Sequence, residues 1–209
     1  MVRSVFLFLL AFLLLSPAYA SEAPEYTPIP ARRVEALQNG EVIRDAVRGT
    51  PNRGYVIALI QAPPQELFEI VSDYPRIPQW SRPLRRAAII SSSGNERVIE
   101  GETELPWPIS NRNWRIRSVS STPTIQGQSA LVNSWTYIPG SGNIRDTFGY
   151  WLIMPWPENP QYTYVKYVIN ADPDMSVPDT ILNMITRRTL PQLISNLRDR
   201  HQALYGSRR

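Results

Sequence analysis

The chain has 209 residues, with 22 Lys and Arg against 18 Asp and Glu, a formal net charge of +4 and no cysteine. That length suffices for one domain with a real core, and the absence of cysteine excludes disulfides, thiol catalysis and cysteine metal sites. So mild a positive excess does not argue for nucleic acid; nearly all of it is arginine, Lys166 being the sole lysine, and it is compatible with weak attraction to anionic lipid surfaces.

Residues 1–20 read as a secretory signal peptide: Arg3 is a short positive region, 5–15 is an unbroken apolar run, and Ala18-Tyr19-Ala20 supplies a small-x-small cleavage signal. The run is short for a membrane span, and Ser21 rather than Cys argues against lipid attachment. The chain is therefore expected to be exported, to a periplasm or out of the cell. Residues 21–39 are expected to form a Pro-rich leader, mobile over 21–31, with a short helix over 32–38 ended by Asn39-Gly40. The domain proper is placed at 40–206.

Within it, 41–47 and 55–61 read as strands. Ala62-Pro63-Pro64 opens a helix carrying Leu67, Phe68, Ile70 and Val71 to Asp73, and 74–80, with Pro75 and Pro78, admits only an irregular or single-turn segment. Strands follow over 84–91, 97–105, 112–120, 126–137, 145–154 and 161–171. The longest helix spans 177–205: Pro178 suits its first turn, and Asp179 complements the dipole. Ile181, Met184, Ile185, Leu193, Leu197 and Leu204 share one face, and Pro191 should kink it near Arg187. Strands separated by turns, bracketed by short helices early and a long one late, mean α+β with an antiparallel sheet.

Alternation assigns faces. In the hairpin 97–120, Glu100, Glu102 and Glu104 alternate with apolar or small residues. Placing Glu102 opposite Arg115 and Glu100 opposite Arg117 makes one face a solvated charge ladder and the other, with Trp114 and Ile116, interior. A solvated ladder is preferred to a catalytic or metal-binding carboxylate cluster. Outward Gln126 and Gln128 turn Leu131, Trp135 and Tyr137 inward; outward Lys166 turns Val165, Tyr167 and Ile169 inward. In 145–154 both faces are apolar, Phe148, Tyr150 and Leu152 against Trp151 and Ile153, and alternation does not choose. Polar-tipped aromatics between a curved sheet and a helix suit an amphiphilic ligand.

Several motifs, in the right order over about 40–204, carry a resemblance. Ala62-Pro63-Pro64-Gln65-Glu66-Leu67-Phe68-Glu69-Ile70-Val71-Ser72-Asp73-Tyr74 resembles the opening of the first helix of START-type lipid-binding domains. Trp80 falls at that family's tryptophan turn, and Leu105-Pro106-Trp107-Pro108-Ile109-Ser110-Asn111-Arg112-Asn113-Trp114 resembles its Pro-to-Arg-Asp segment. Gly142-Asn143-Ile144-Arg145 resembles the start of a later strand, and Ala171-Asp172-Pro173-Asp174-Met175-Ser176-Val177-Pro178 the loop into the final helix. Asn113 stands where the family usually has Asp, and Met175 or Ser176 where Gly is common. The chain thus resembles the helix-grip (SRPBCC) superfamily that includes the birch-pollen allergen and polyketide cyclases. The resemblance implies a curved antiparallel sheet wrapped around the long C-terminal helix, a ligand tunnel roofed by that helix, and no cofactor.

The cavity-lining residues expected from alternation and helix face are Trp114, Ile116, Leu131, Trp135, Tyr137, Phe148, Tyr150, Leu152, Val165, Tyr167, Ile169, Ile181, Met184 and Ile185, with Arg145 and Asp146 as a candidate polar anchor. His201, the one histidine, reads as a solvated helix-terminal residue, with no Gly-x-Ser-x-Gly elbow to serve. Asp172, Asp174 and Asp179 match no EF-hand spacing, so no metal is expected. Trp107 at a hairpin tip either dips into a membrane interface or caps the sheet. The reading preferred is an exported binding protein, its expected partners a lipid or other hydrophobic small molecule and a transient membrane surface, acting as a monomer. A cyclase- or hydrolase-like enzyme using the same pocket is the alternative.

Overall fold

A computed structural model of the chain describes residues 22–105, 107 and 109–206, apart from the side chains of Leu182 and Thr186. The segment 1–20, expected to be a signal peptide, lies outside the described residues. Helix α1 (Ala31–Gln38) precedes strands β1 (Ile43–Val47) and β2 (Asn52–Ile60), helix α2 (Pro64–Ser72) and a 3-10 segment (Tyr74–Gln79). Strands β3 (Leu84–Ser93), β4 (Glu96–Thr103), β5 (Arg112–Ser121), β6 (Thr124–Ile125), β7 (Gln128–Ser129), β8 (Leu131–Tyr137), β9 (Asp146–Pro155) and β10 (Thr163–Asp172) follow. The chain then runs through α3 (Asp179–Met184), a π-helical turn (Ile185–Thr189) and α4 (Leu190–Tyr205).

Eight strands form one curved antiparallel sheet in the order β1-β2-β10-β9-β8-β5-β4-β3, and β6 with β7 makes a separate small hairpin. The concave face carries α2 and the terminal helix. This is the helix-grip arrangement expected from the sequence. The strand expected over 126–137 is broken at its start, because Gln126 and Gly127 both take positive φ in the β6–β7 turn.

The sheet has apolar residues on both faces. Val56, Ala58, Ile60, Ile99, Ile116, Trp135, Trp151, Ile153 and Val165 pack on the concave side against Leu67, Ile70, Val71, Leu190, Ile194 and Leu197. On the convex side Ile57, Leu59, Val132, Tyr150, Leu152, Met154, Tyr164 and Val168 pack against Tyr26, Ile29 and Leu37. Strands buried on both faces lose their polar alternation, which is why β9 was undecidable from its sequence.

The convex cover corrects one expectation. Residues 22–30 form a fixed extended strap. The Glu22 carboxylate meets Arg53 at 2.5 Å and accepts from Asn170 at 2.8 Å. Tyr26 donates to Glu158 at 3.1 Å. Lys166 does face away from the concave side, but it is buried, donating to the Glu25 carbonyl at 2.8 Å and the Thr27 hydroxyl at 3.0 Å.

The β4–β5 register differs by two residues from the expected one. Glu100 pairs with Arg115, Glu102 with Asn113, and Arg117 lies across from Val98. The ladder survives on the outer face: Glu100 contacts Arg86 at 3.0 Å and Arg115 at 2.8 Å, and Glu96 contacts Arg117 at 2.8 Å. The Arg115 and Arg86 guanidiniums hold the Glu100 carboxyl below its ordinary range. The register follows from the inner face, where Trp114 lies across from Gly101. A Cβ at Gly101 would stand 2.3 Å from the indole, so the glycine makes the space the ring occupies.

Where a kink is expected, the final helix carries a π turn, Ile185–Thr189. Proline removes one backbone donor and crowds the carbonyl four residues back, here that of Arg187. An extra residue in the turn relieves the clash. His201 is buried rather than solvated: its Nε2 lies 2.6 Å from Glu66 and its ring stacks on Tyr205 at 5.2 Å, joining α4 to α2.

Candidate functional site

Between the concave face and the segment from α3 to the start of α4 lies a cavity of about 670 Å³, within the size range of small-molecule sites. Its wall is built strand by strand: Trp114 and Ile116 from β5, Trp135 from β8, Thr147 and Trp151 from β9, Tyr167, Ile169 and Ala171 from β10. Ile181, Met184, Ile185, Thr189, Leu190 and Leu193 form the roof. Ile77, Trp80 and Leu84 close one side, and the exposed Arg82, Glu104 and Trp107 with half-buried Arg112 border the mouth.

Two tryptophans owe their places to glycines. Trp114 is paired with Gly101 and Trp135 with Gly149. A Cβ at Gly149 would meet the Trp135 ring at 2.7 Å and the Val168 carbonyl oxygen at 2.1 Å. With no side chain opposite, each ring lies over the neighbouring strand. Both indole N–H groups are used within the protein: Trp114 donates to Thr103 Oγ1 at 2.9 Å and Trp135 to Thr147 Oγ1 at 3.5 Å. The ring faces left toward the cavity are therefore apolar.

Tyr167 sits between Trp135, stacked at 5.6 Å, and Trp151 at 4.5 Å. Burial is the main reason its phenol is pushed well above the ordinary value, so it stays a neutral donor and acceptor. At the inner end the Tyr74 hydroxyl donates to Asn133 Oδ1 at 2.9 Å and lies 3.1 Å from Ser118 Oγ. This buried network satisfies a polar residue on an otherwise apolar strand face. Burial raises the Tyr74 pKa to about 12.

The charges collect at the mouth. Arg145 and Asp146, the pair expected as an anchor, point apart. Arg145 leaves the cavity to bind Asp172 at 3.2 Å and Asp174 at 2.5 Å. Asp146 stays on the wall across from Asp172. Burial, more than the nearby Asp172, raises its pKa, against the lowering effect of the Thr147 backbone N–H. Arg112 donates to the Pro173 carbonyl at 3.1 Å and the Ser110 carbonyl at 3.0 Å, tying the β4–β5 loop to the segment leading into the roof. Asp179 pairs with Arg48. Among the described residues no group of three or more His, Asp or Glu side chains is placed to hold a metal ion.

Of the residues expected to line a cavity, Trp114, Ile116, Trp135, Tyr167, Ile169, Ile181, Met184, Ile185 and Asp146 stand on its wall. Leu131, Tyr137 and Val165 share the concave side by alternation but lie off the wall. Phe148, Tyr150 and Leu152 must be corrected: β9 turns Trp151 and Ile153 inward and gives Tyr150 and Leu152 to the convex cluster, with Phe148 on their side. Sequence reasoning missed Tyr74, Ile77, Trp80, Thr147, Leu190 and Asp172. The apolar–aromatic content of 74–80 was the available signal for the first three. The strap, whose Tyr26 and Ile29 claim the outer face of β9, was the missing information for the strand.

A family model described as polyketide cyclase / dehydrase and lipid transport matches residues 60–198. No curated protein matches the sequence. Among solved structures, a STAR-related lipid transfer protein from Xanthomonas axonopodis is similar with a TM-score of 0.63 and 19% identity, over 77% of this chain and 92% of that one. The human StAR-related lipid transfer protein 5 aligns with a TM-score of 0.61 and 16% identity, over 84% and 97%. A START superfamily protein from Mycobacterium smegmatis aligns with a TM-score of 0.54 and 17% identity, over 73% and 98%. At these identities the likeness is one of fold.

Proposed function

The chain belongs to the polyketide cyclase / dehydrase and lipid transport family, and from that premise we propose that it holds a lipid or other hydrophobic small molecule in its cavity and carries it between membranes. The observation that carries this reading is the roofed cavity of about 670 Å³ itself, with Trp80, Trp114, Trp135, Trp151 and Tyr167 on its wall and its charges at the mouth. Apolar burial supplies affinity, and the Tyr167 hydroxyl offers one hydrogen bond to a polar atom of the guest. The roof and the loop bearing Trp107, which is 91% exposed, form the gate. The test uses Trp114, Trp135 and Trp151 as reporters. A fatty acid brominated along its chain is expected to quench their fluorescence saturably, and an unbrominated one to reverse it by displacement. Unchanged emission at saturating lipid contradicts the reading.

Export belongs to the same proposal, supported by the apolar run 5–15 and Ala18-Tyr19-Ala20. Amino-terminal sequencing of the protein from its own host is expected to start at Ser21; an intact Met1 contradicts export by cleavage.

One observation favours a second reading, an enzyme using the same cavity: Asp146 is a partly buried carboxyl of raised pKa on the wall, the kind of group that serves as an acid or base. It predicts turnover of a bound polyketide-like or ester substrate that Asp146→Asn abolishes while binding persists.

A further inference from the structure

We propose that a second recess, between β1 and the π turn, binds the phosphate of an anionic lipid headgroup and so sets the cavity roof against a membrane surface. The recess measures about 600 Å³ and is bordered by Arg44 from β1, Arg187 and Arg188 from the π turn, and Arg198 from α4. Among the described residues bordering it, the one acid is Glu41, which is already held by Arg33 at 3.2 Å.

Many arginines elsewhere on the surface are matched to carboxylates, Arg86 and Arg115 sharing Glu100, Arg117 taking Glu96, and Arg145 taking Asp172 and Asp174, and others, such as Arg32 and Arg82, stand singly. What sets this recess apart is that four arginines border one concavity. Arg44, Arg187 and Arg188 are exposed and make no ion pair among the described residues. Arg198 is tied to the wall by the Gly40 and Leu59 carbonyls, at 2.7 and 3.2 Å, so its charge is fixed in place. Like charges gathered around a concave surface raise the local positive potential, and guanidinium forks match phosphate oxygens two at a time.

The position points to a lipid phosphate rather than a free one. Arg187 and Arg188 belong to the five-residue turn Ile185–Thr189, whose Ile185 and Thr189 line the cavity. Recess and cavity therefore share one turn of helix. A headgroup held there fixes the roof at the bilayer surface. This proposal does not require the cavity to be occupied.

The test is co-sedimentation of the purified protein, as its host produces it, with phosphatidylcholine vesicles lacking or containing phosphatidylglycerol. Binding is expected only to the anionic vesicles and should weaken with salt. Arg187→Gln/Arg188→Gln should reduce it by about tenfold or more, and Arg44→Gln, on a different element, by several-fold, at about a kcal/mol per arginine near the surface. The charge-matched control Arg32→Gln/Arg76→Gln should reduce it less than about threefold. Thermal unfolding and quenching by brominated fatty acid, measured on every variant, separate this result from misfolding and from failure of the cavity reading. Equal losses in the two double variants, or binding indifferent to phosphatidylglycerol, overturn the proposal. So does stabilisation by inorganic phosphate or glycerol phosphate without vesicle binding, which assigns the recess to a soluble anion.

Discussion

At the scale of single residues, the cavity depends on side chains that are absent as much as on those present. Gly101 and Gly149 leave the room into which Trp114 and Trp135 lie. The two glycines should differ in their response to a methyl group. At Gly101→Ala the nearest atoms to the new Cβ are those of the Trp114 ring, a side chain that can tilt into the cavity, so a cost of about 1–2 kcal/mol is expected. At Gly149→Ala it also meets the Val168 carbonyl at 2.1 Å, and the backbone must move; about 3 kcal/mol or more is expected. Urea unfolding of both variants checks the order, and equal costs contradict it. Asp146 yields a prediction with a sign. Its pKa is raised in the fold from an ordinary 3.8, so the folded state holds the proton to higher pH than the unfolded chain does. The resulting stability is fully present below the ordinary value and is lost as pH rises through the raised one. Asp146→Asn should therefore gain on the wild type in melting temperature as pH rises across that window, and the difference should level off above it. A wild type that gains on the variant contradicts the assignment.

At the scale of elements, the strap over 22–30 marks the limit of what the sequence makes legible. The apolar residues of β9 gave a strand, but not which face met the cavity, because the strap makes both of its faces interior, whereas in β10 the polar Lys166 marked the outer face. Its own residues, Pro-rich and without periodicity, resemble a linker; Glu22, Glu25, Tyr26 and Thr27 are anchors only because Arg53, Lys166 and Tyr164 stand opposite in space, far away in sequence. The β4–β5 register was missed for a related reason: charge pairing is satisfied by either of two offsets, whereas the Trp114–Gly101 fit accepts one. The final helix was legible in extent and in most of its apolar face, because its pattern is local, but Leu204, expected on that face, is exposed. Tyr26→Ala is expected to destabilise the protein by about 3 kcal/mol, as for other large aromatics cut to alanine. It should also raise hydrogen–deuterium exchange at 22–30 while leaving lipid quenching of the cavity tryptophans intact. Loss of ligand binding together with the strap would contradict the separation of the two faces.

At the scale of the whole molecule, one curved sheet serves two purposes. Its convex face is covered over β2, β10, β9 and β8 by the strap and α1, and its concave face, only partly filled by α2 and the terminal helix, keeps a cavity beneath the roof. The π turn lies where the roof meets both the cavity and the arginine-lined recess. Opening at that turn would expose the apolar wall on the side where the charge attracts an anionic surface. The central claim is that the cavity holds an apolar guest, and native mass spectrometry of the protein purified from its own host without detergent tests it most directly, with solvent extraction in parallel. The account predicts an adduct that is lost on denaturation and recovered in the extract as a lipid or similarly apolar molecule. A bare mass, from protein that also refuses offered fatty acids, phospholipids, sterols and quinones, would contradict it.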